Sequence, residues 1–333
     1  MRLFVLLCAA MTAFGPSAKA DPVTDFYKGR TITALVGVSP GGEYDFQLRL
    51  VARHLGKHIP GNPNIVPQNM TGATGLVMAN YLARVAPKDG TYIGLIQNGL
   101  PTSQAVGLEG VQFNARQFLW LGAVAPSTQT LFTWKDSVKT IDEAKRVEVI
   151  TGAVGSSGIT LSYPMMLNDL IGTKFKMVLG YTGSGAIDIA MERGEVSARA
   201  SSWASLRNSK PHWIKDKLVN VLVHSGPKPP ELAGVPSLDD LITNTEDKQV
   251  AQIVNTGDAL GHPFATTPGA PPERVEALRK AFAAMLRDPD FIKEADARGL
   301  TINPVSADAL TQTVNGALNA TDAAKKRARK YFQ

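Results

Sequence analysis

Cysteine is nearly absent: the 333-residue chain has one, Cys8. No disulfide can form within the chain, so stability has to come from an apolar core rather than covalent staples. Charge is scarce too, at 19% of residues against 44% apolar, which excludes a disordered or fibrous chain. Long hydrophobic runs are missing. The most apolar stretch, Leu3–Phe14, is well short of the roughly 20 residues that cross a bilayer. Nothing later comes closer, so no span is expected after it. The net charge of +6 favours anionic partners without choosing among them. The length corresponds to about two ordinary domains.

The N-terminus reads as an export signal over residues 1–20. Arg2 gives a positive start, the apolar run follows, and Ala18-Lys19-Ala20 supplies small residues around a cleavage point before Asp21. Cys8 lies inside this segment, preceded by Leu7 rather than a small residue, which argues against a lipid anchor. Export into a bacterial periplasm suits a chain that needs no disulfide, and periplasmic localisation is the expectation.

From Asp21 onward, short β-branched runs alternate with amphipathic stretches. Strands are expected at Thr31–Val36, Asn64–Pro67, Tyr92–Ile96, Val147–Thr151, Lys176–Leu179, Val196–Ala200 and Val219–Val223. Helices are expected at Asp45–His58, Thr74–Ala83, Ser157–Ile171 and Ala186–Arg193, and then at Pro271–Leu286, Pro289–Arg298 and Ser306–Lys330. Such alternation predicts α/β units on mostly parallel sheets. Glycines gather where strands hand over to helices: Gly41-Gly42, then Gly152, Gly155 and Gly158, then Gly180, Gly183 and Gly185. In open α/β sheets ligands bind at those handovers, and a free helix N-terminus there attracts anions. Glycine in a tight turn is the plainer explanation for any one cluster.

Catalytic and metal motifs fare poorly. Gly37-Val38-Ser39-Pro40-Gly41 matches a nucleophile elbow, but the residue after the serine must donate its N–H to an oxyanion, and Pro40 has none. His54 and His58 have zinc-compatible spacing without the glutamate of a zincin helix, and read as an exposed helix end. Gly152–Gly158 lacks the Lys-Ser/Thr of a phosphate loop. The basic stretch Lys325–Lys330 has no interleaved aromatics and suits a helix C-terminus better than nucleic acid. No cofactor, metal or nucleic-acid partner is expected. An exported α/β chain with glycine-rich loops and no catalytic set reads as a solute receptor.

Ser39-Pro40-Gly41-Gly42-Glu43-Tyr44-Asp45 resembles the first loop of the Bug-type substrate-binding proteins of tripartite tricarboxylate transporters. Asn69–Gly75, Ala86–Tyr92, Gly180–Gly183 with Asp188, Val235–Leu238 and Asp288-Pro289 are similar to later segments of that family, in the same order. The resemblance implies a two-lobed α/β architecture of the type II periplasmic-binding-protein kind. It would close around a small organic acid and deliver it, as a monomer, to membrane transporter subunits. The expected lobes are residues 21–124 with 254–333, and 125–253.

Matched by motif, the ligand-binding candidates are Pro40, Gly41, Gly42 and Tyr44 from the first lobe. From the second they are Ser156, Ser157, Tyr181, Thr182 and Gly183. Gln97 and Asn98, and Ser202 and Trp203, join by position at strand ends. Asp45 and Asp188 read as helix-start groups rather than ligand contacts. The chain departs from the family at Glu43, at Met70-Thr71 and at Thr182, which leaves ligand identity open. An exported hydrolase and a sensing module for a signalling kinase are the alternatives.

Overall fold

The computed structural model describes residues 21–154 and 158–332; the expected export signal lies outside them. Among the described residues eleven strands form two sheets. They are β1 (Thr31–Val36), β2 (Asn64–Asn69), β3 (Tyr92–Leu95), β4 (Leu119–Ala123), β5 (Gln129–Trp134), β6 (Val149–Gly152), β7 (Phe175–Val178), β8 (Ala198–Ser202), β9 (Val219–Ser225), β10 (Pro263–Thr266) and β11 (Val305–Ser306). The first sheet has the order β11-β4-β10-β3-β1-β2 and the second β7-β6-β8-β5-β9. This is the two-lobed α/β architecture expected from the sequence.

The sheets are mixed rather than mostly parallel. β1 pairs parallel with β2 and β3, and β6 with β7 and β8, but β10 and β5 run antiparallel to both neighbours. The chain's route accounts for this. It leaves the first sheet at the end of β4 and enters the second at the facing edge, so β5 must run away from that edge. β10 is entered in the same manner on the return. The ends of β1 to β4 therefore face the ends of β6, β8 and β9 across the junction.

The two crossings, 124–128 and 226–262, lie directly against each other. A Cβ on Gly261 would sit 1.9 Å from the Ala125 carbonyl oxygen, and one on Gly226 would sit 2.6 Å from that of Ser127. Both glycines also have positive φ, so contact and conformation each demand glycine. Asp258 pins the pair. Its carboxyl accepts from Gln129 Nε2 at 2.8 Å and from the Ser225 hydroxyl at 3.4 Å. Its carbonyl accepts the Ser127 N–H at 2.7 Å. Burial pushes this acid up to about 7, because ionising it would leave a charge out of water.

Apolar clusters fix the layers. Leu48, Val51 and Leu55 of the helix Glu43–Leu55 pack with Phe282 and Met285 of the helix Pro272–Met285 on one face of the first sheet. The opposite face carries Met78, Val250 and Val314, in a cluster that continues into Leu131, Val149 and Leu167 of the second lobe. Polar contacts reinforce that side: Asp169 of the helix Ile159–Ile171 accepts from Arg327 Nε at 2.6 Å and from the Tyr331 hydroxyl. The helix Thr245–Leu260, which the sequence pattern did not reveal, packs mainly on the helices Ala307–Asn319 and Asp322–Arg329. Those last two were expected as one helix. The chain breaks at Ala320, and Thr321 caps the second piece.

Two further expectations are corrected. His54 and His58 do not form a free helix end; they bond Glu294 at 2.8 Å and Asp288 at 2.9 Å, tying their helix to Pro289–Asp296. Asp188 is not at a helix start but in the second turn of Ser184–Glu192. It pairs at 2.5 Å with Arg199, both side chains being at most 4% exposed, and the guanidinium lies over the Phe132 ring. Asp188→Ala would strand the buried guanidinium, with an expected loss of about 3–5 kcal/mol in urea unfolding. Asp188→Leu/Arg199→Met should lose much less.

Asp258 predicts a pH dependence. The folded state keeps its proton to about pH 7, whereas the unfolded chain releases it near 4. The folded state thus binds the extra proton between those values, and stability falls as pH rises through that window, by at most about 1.4 kcal/mol per pH unit. Subtracting the unfolding profile of Asp258→Asn from that of the wild type should isolate this slope.

Candidate functional site

Most helix starts differ between the junction and the rest of the molecule, although Pro211–Lys215 and Pro272–Met285, away from it, also begin without a side-chain cap. Away from the junction, Asp21, Thr140, Ser237, Asn244, Asp288, Ser306 and Thr321 cap their helices with side-chain oxygens. The helices after β1, β2, β3, β6 and β7 start instead at Gly42, Gly75, Gly99, Gly158 and Gly183, with no side-chain cap. Only Ser202, after β8, is a capped start at this edge. Glycine costs a few tenths of a kcal/mol relative to serine at an N-cap, and it leaves the first N–H groups of the helix open to a ligand.

Between the two edges lies a cavity of about 1270 Å³, larger than the roughly 300–1,000 Å³ of a closed small-molecule pocket. Gly41, Gly42, Glu43, Phe46 and Gln47 line its first-lobe wall. Ser202, Trp203 and Arg207 line the second-lobe wall, Ala125–Thr128 and His262 its base, and Lys228 and Arg298–Asn303 its outer end. Arg207 spans the gap, donating to Glu231 at 3.1 Å and to the Thr301 hydroxyl at 3.3 Å.

The loop after β1 is held by Asp45. Its carboxylate accepts the Gly41 N–H at 2.9 Å, Arg49 Nε at 3.0 Å and Asn69 Nδ2 at 2.8 Å. Arg49 above all holds this acid down at about 2. At the base, Tyr44 meets the His262 ring edge-on at 4.3 Å. Burial pulls His262 below its usual pKa, against the Glu43 carboxylate, so the ring is neutral near pH 7.

Of the residues expected from the sequence, Gly41, Gly42, Ser202 and Trp203 come together in this cavity. Tyr44 and Asn98 do not line it: the Tyr44 hydroxyl accepts the Asn98 N–H at 3.1 Å, and the Asn98 amide donates to the Gly257 carbonyl at 2.9 Å. Gln97 fills the space that a side chain at Gly75 would need. Pro40 is exposed beside the loop, Thr182 is exposed and Gly183 half-buried at a helix start, and Tyr181 packs on the second-lobe core. Ser156 and Ser157 lie outside the described residues. The sequence reading missed Phe46, Gln47, Arg207, His262 and Arg298. Glu43, Phe46 and Gln47 share a helix face by their spacing, which could have flagged the first two, but nothing local marks the last three.

The chain matches no family model and no curated protein. Solved structures do share its fold. A TctC solute binding protein from Polaromonas, without ligand, superposes with a TM-score of 0.72 at 19% identity, covering 91% of this chain and 99% of that one. MatC from Rhodopseudomonas palustris with bound malate gives 0.57 at 18% identity, covering 90% and 99%. An R. palustris protein with adipate gives 0.60 at 19% identity, covering 90% and 98%. The fold is that of these two-lobed solute-binding proteins. Among the described residues no helix is long and apolar enough to cross a membrane.

Proposed function

We propose that this protein is an extracytoplasmic solute receptor that closes on a small organic acid and hands it to a membrane transporter of the tripartite tricarboxylate type. The observation that carries the reading is the cleft between two α/β lobes with the uncapped glycine helix start at Gly42 on its wall. A carboxylate is small enough to accept several such N–H groups at once, and a closed, water-poor cleft strengthens each of those bonds. Proteins of this fold holding malate and adipate support the same ligand class. The wide cavity suits the open state of a receptor whose lobes move about their crossings.

We assign the moving boundary to the stretch before the helix Thr245–Leu260, since that helix packs with the C-terminal helices. Arg207 then bridges the lobes at the outer end of the cleft, and the Asp169–Arg327 contact holds the opposite side. An enzymatic reading has less behind it, because Pro40 removes the N–H that an elbow serine needs.

A thermal-shift and calorimetric screen against dicarboxylates, tricarboxylates, hydroxy acids, acidic amino acids and aromatic acids tests the reading. A ligand at 100 times its Kd should add about 2.7 kcal/mol. Gly42→Phe is the matched variant. Gly42 has φ −85° and nothing within 4 Å of a built Cβ, so the ring projects into the cleft without straining the fold. The wild-type ligand should bind at least about 100-fold more weakly, which is about 2.7 kcal/mol, at an unchanged Tm in the absence of ligand. Unaltered affinity would contradict the site.

A further inference from the structure

We propose that Glu43, with Gln47 beside it, makes the first-lobe wall of the cleft a seat for a positively charged group, so that the ligand is an amino acid rather than a plain diacid. The inference rests on the receptor reading above and narrows its ligand class.

The uncapped helix starts are not equivalent. Those of Ile159–Ile171 and Ser184–Glu192 have no acid in their first turn, whereas Glu43–Leu55 carries both Glu43 and Asp45 there. Asp45 already takes the Gly41 N–H, and its charge is matched by Arg49 at 2.9 Å. Glu43 has no such match. Among the described residues the one basic group within ion-pair distance is His262, at 3.8 Å, and burial keeps that ring neutral near pH 7. Its other close contact is the Gln47 amide, at 3.3 Å. Glu43 therefore places an uncompensated negative charge, 65% exposed, on the cleft lining.

The second observation is independent of that charge. Gln47 lines the same wall at 1% exposure, and its Oε1 is buried without a hydrogen-bond partner. An unpaired buried acceptor is costly and needs a donor. The exposed Glu43 carboxylate offers acceptors to an ammonium and repels a carboxylate, and the Gln47 amide oxygen behind it still lacks a donor. The ligand's own carboxylate is left to the second-lobe wall, where Ser202, Ser205 and Lys228 line the cavity. Neither Arg207 nor Arg298, which also line the cavity, lies within ion-pair distance of Glu43; Arg207 is paired with Glu231, and the Arg298 guanidinium is stacked over the neighbouring Phe46 ring.

Matched pairs that differ by one amino group test this: L-aspartate against succinate, and L-glutamate against glutarate, titrated calorimetrically into the wild type and Glu43→Gln. The wild type should bind the amino member of a pair at least about tenfold more tightly. In Glu43→Gln that preference should shrink about tenfold, and the diacid should bind more tightly than before. Because Glu43 is 65% exposed and a glutamine there keeps an oxygen to accept the Gln47 N–H, the variant should unfold at the wild-type temperature. A diacid that binds the wild type as well as its amino counterpart, or a preference that survives in Glu43→Gln, overturns the proposal and leaves the receptor reading standing. If none of the four compounds binds and the wider acid panel is also silent, the receptor reading falls and this inference with it.

Discussion

A helix start needs partners for N–H groups that its own turns cannot satisfy, and this molecule answers that need in two ways. Wherever a helix begins away from the junction of the sheets, a serine, threonine, aspartate or asparagine often supplies the partner. Where helices follow β1, β2, β3, β6 and β7, glycine supplies none. The loss in stability at each such position is small, while the electrostatic consequence is concentrated in one place. Of these starts Gly42 lies on the cleft lining, where the partial positive charge of its helix is open to a ligand. A ligand so held needs no buried lysine or arginine, whose desolvation would oppose binding.

The crossings determine what such a cleft can do. Because each of the two crossings enters a sheet at its junction edge, β5 and β10 run against their neighbours, and the strand ends of both lobes meet. Gly226 and Gly261 let the crossings touch, and Asp258 joins both through Gln129, Ser225 and Ser127. On one side of the junction a continuous apolar cluster and the Asp169–Arg327 pair connect the lobes. Across the cleft, the recorded polar link is the exposed Arg207–Thr301 contact. Motion is easiest where contacts are few and wet, so opening falls on the cleft side.

Much of this was legible in the sequence, for identifiable reasons. Thr31–Val36 announces β1 by its β-branched run, and the glycines after β1, β6 and β7 mark where the next helices start. β4, β5 and β10 were not legible: their direction and pairing follow from the crossings, which no local pattern encodes. Thr245–Leu260 escaped because its apolar positions are few and interrupted by polar ones. At the site, Tyr44, Gln97 and Asn98 have the chemistry of ligand contacts but are used within the first lobe, a distinction that only packing makes. Arg298 and Thr301 reach the cleft from about 250 residues beyond Gly42, a closeness visible only once the chain has returned.

Closure on a small acid is the claim from which the rest follows. Small-angle X-ray scattering of the purified protein, alone and saturated with its tightest binder from the acid panel, addresses it most directly. A receptor that closes should show a smaller radius of gyration and a shorter maximum dimension with ligand, while the acid is recovered unchanged. An identical scattering profile at saturation, or conversion of the acid to a product, would contradict it.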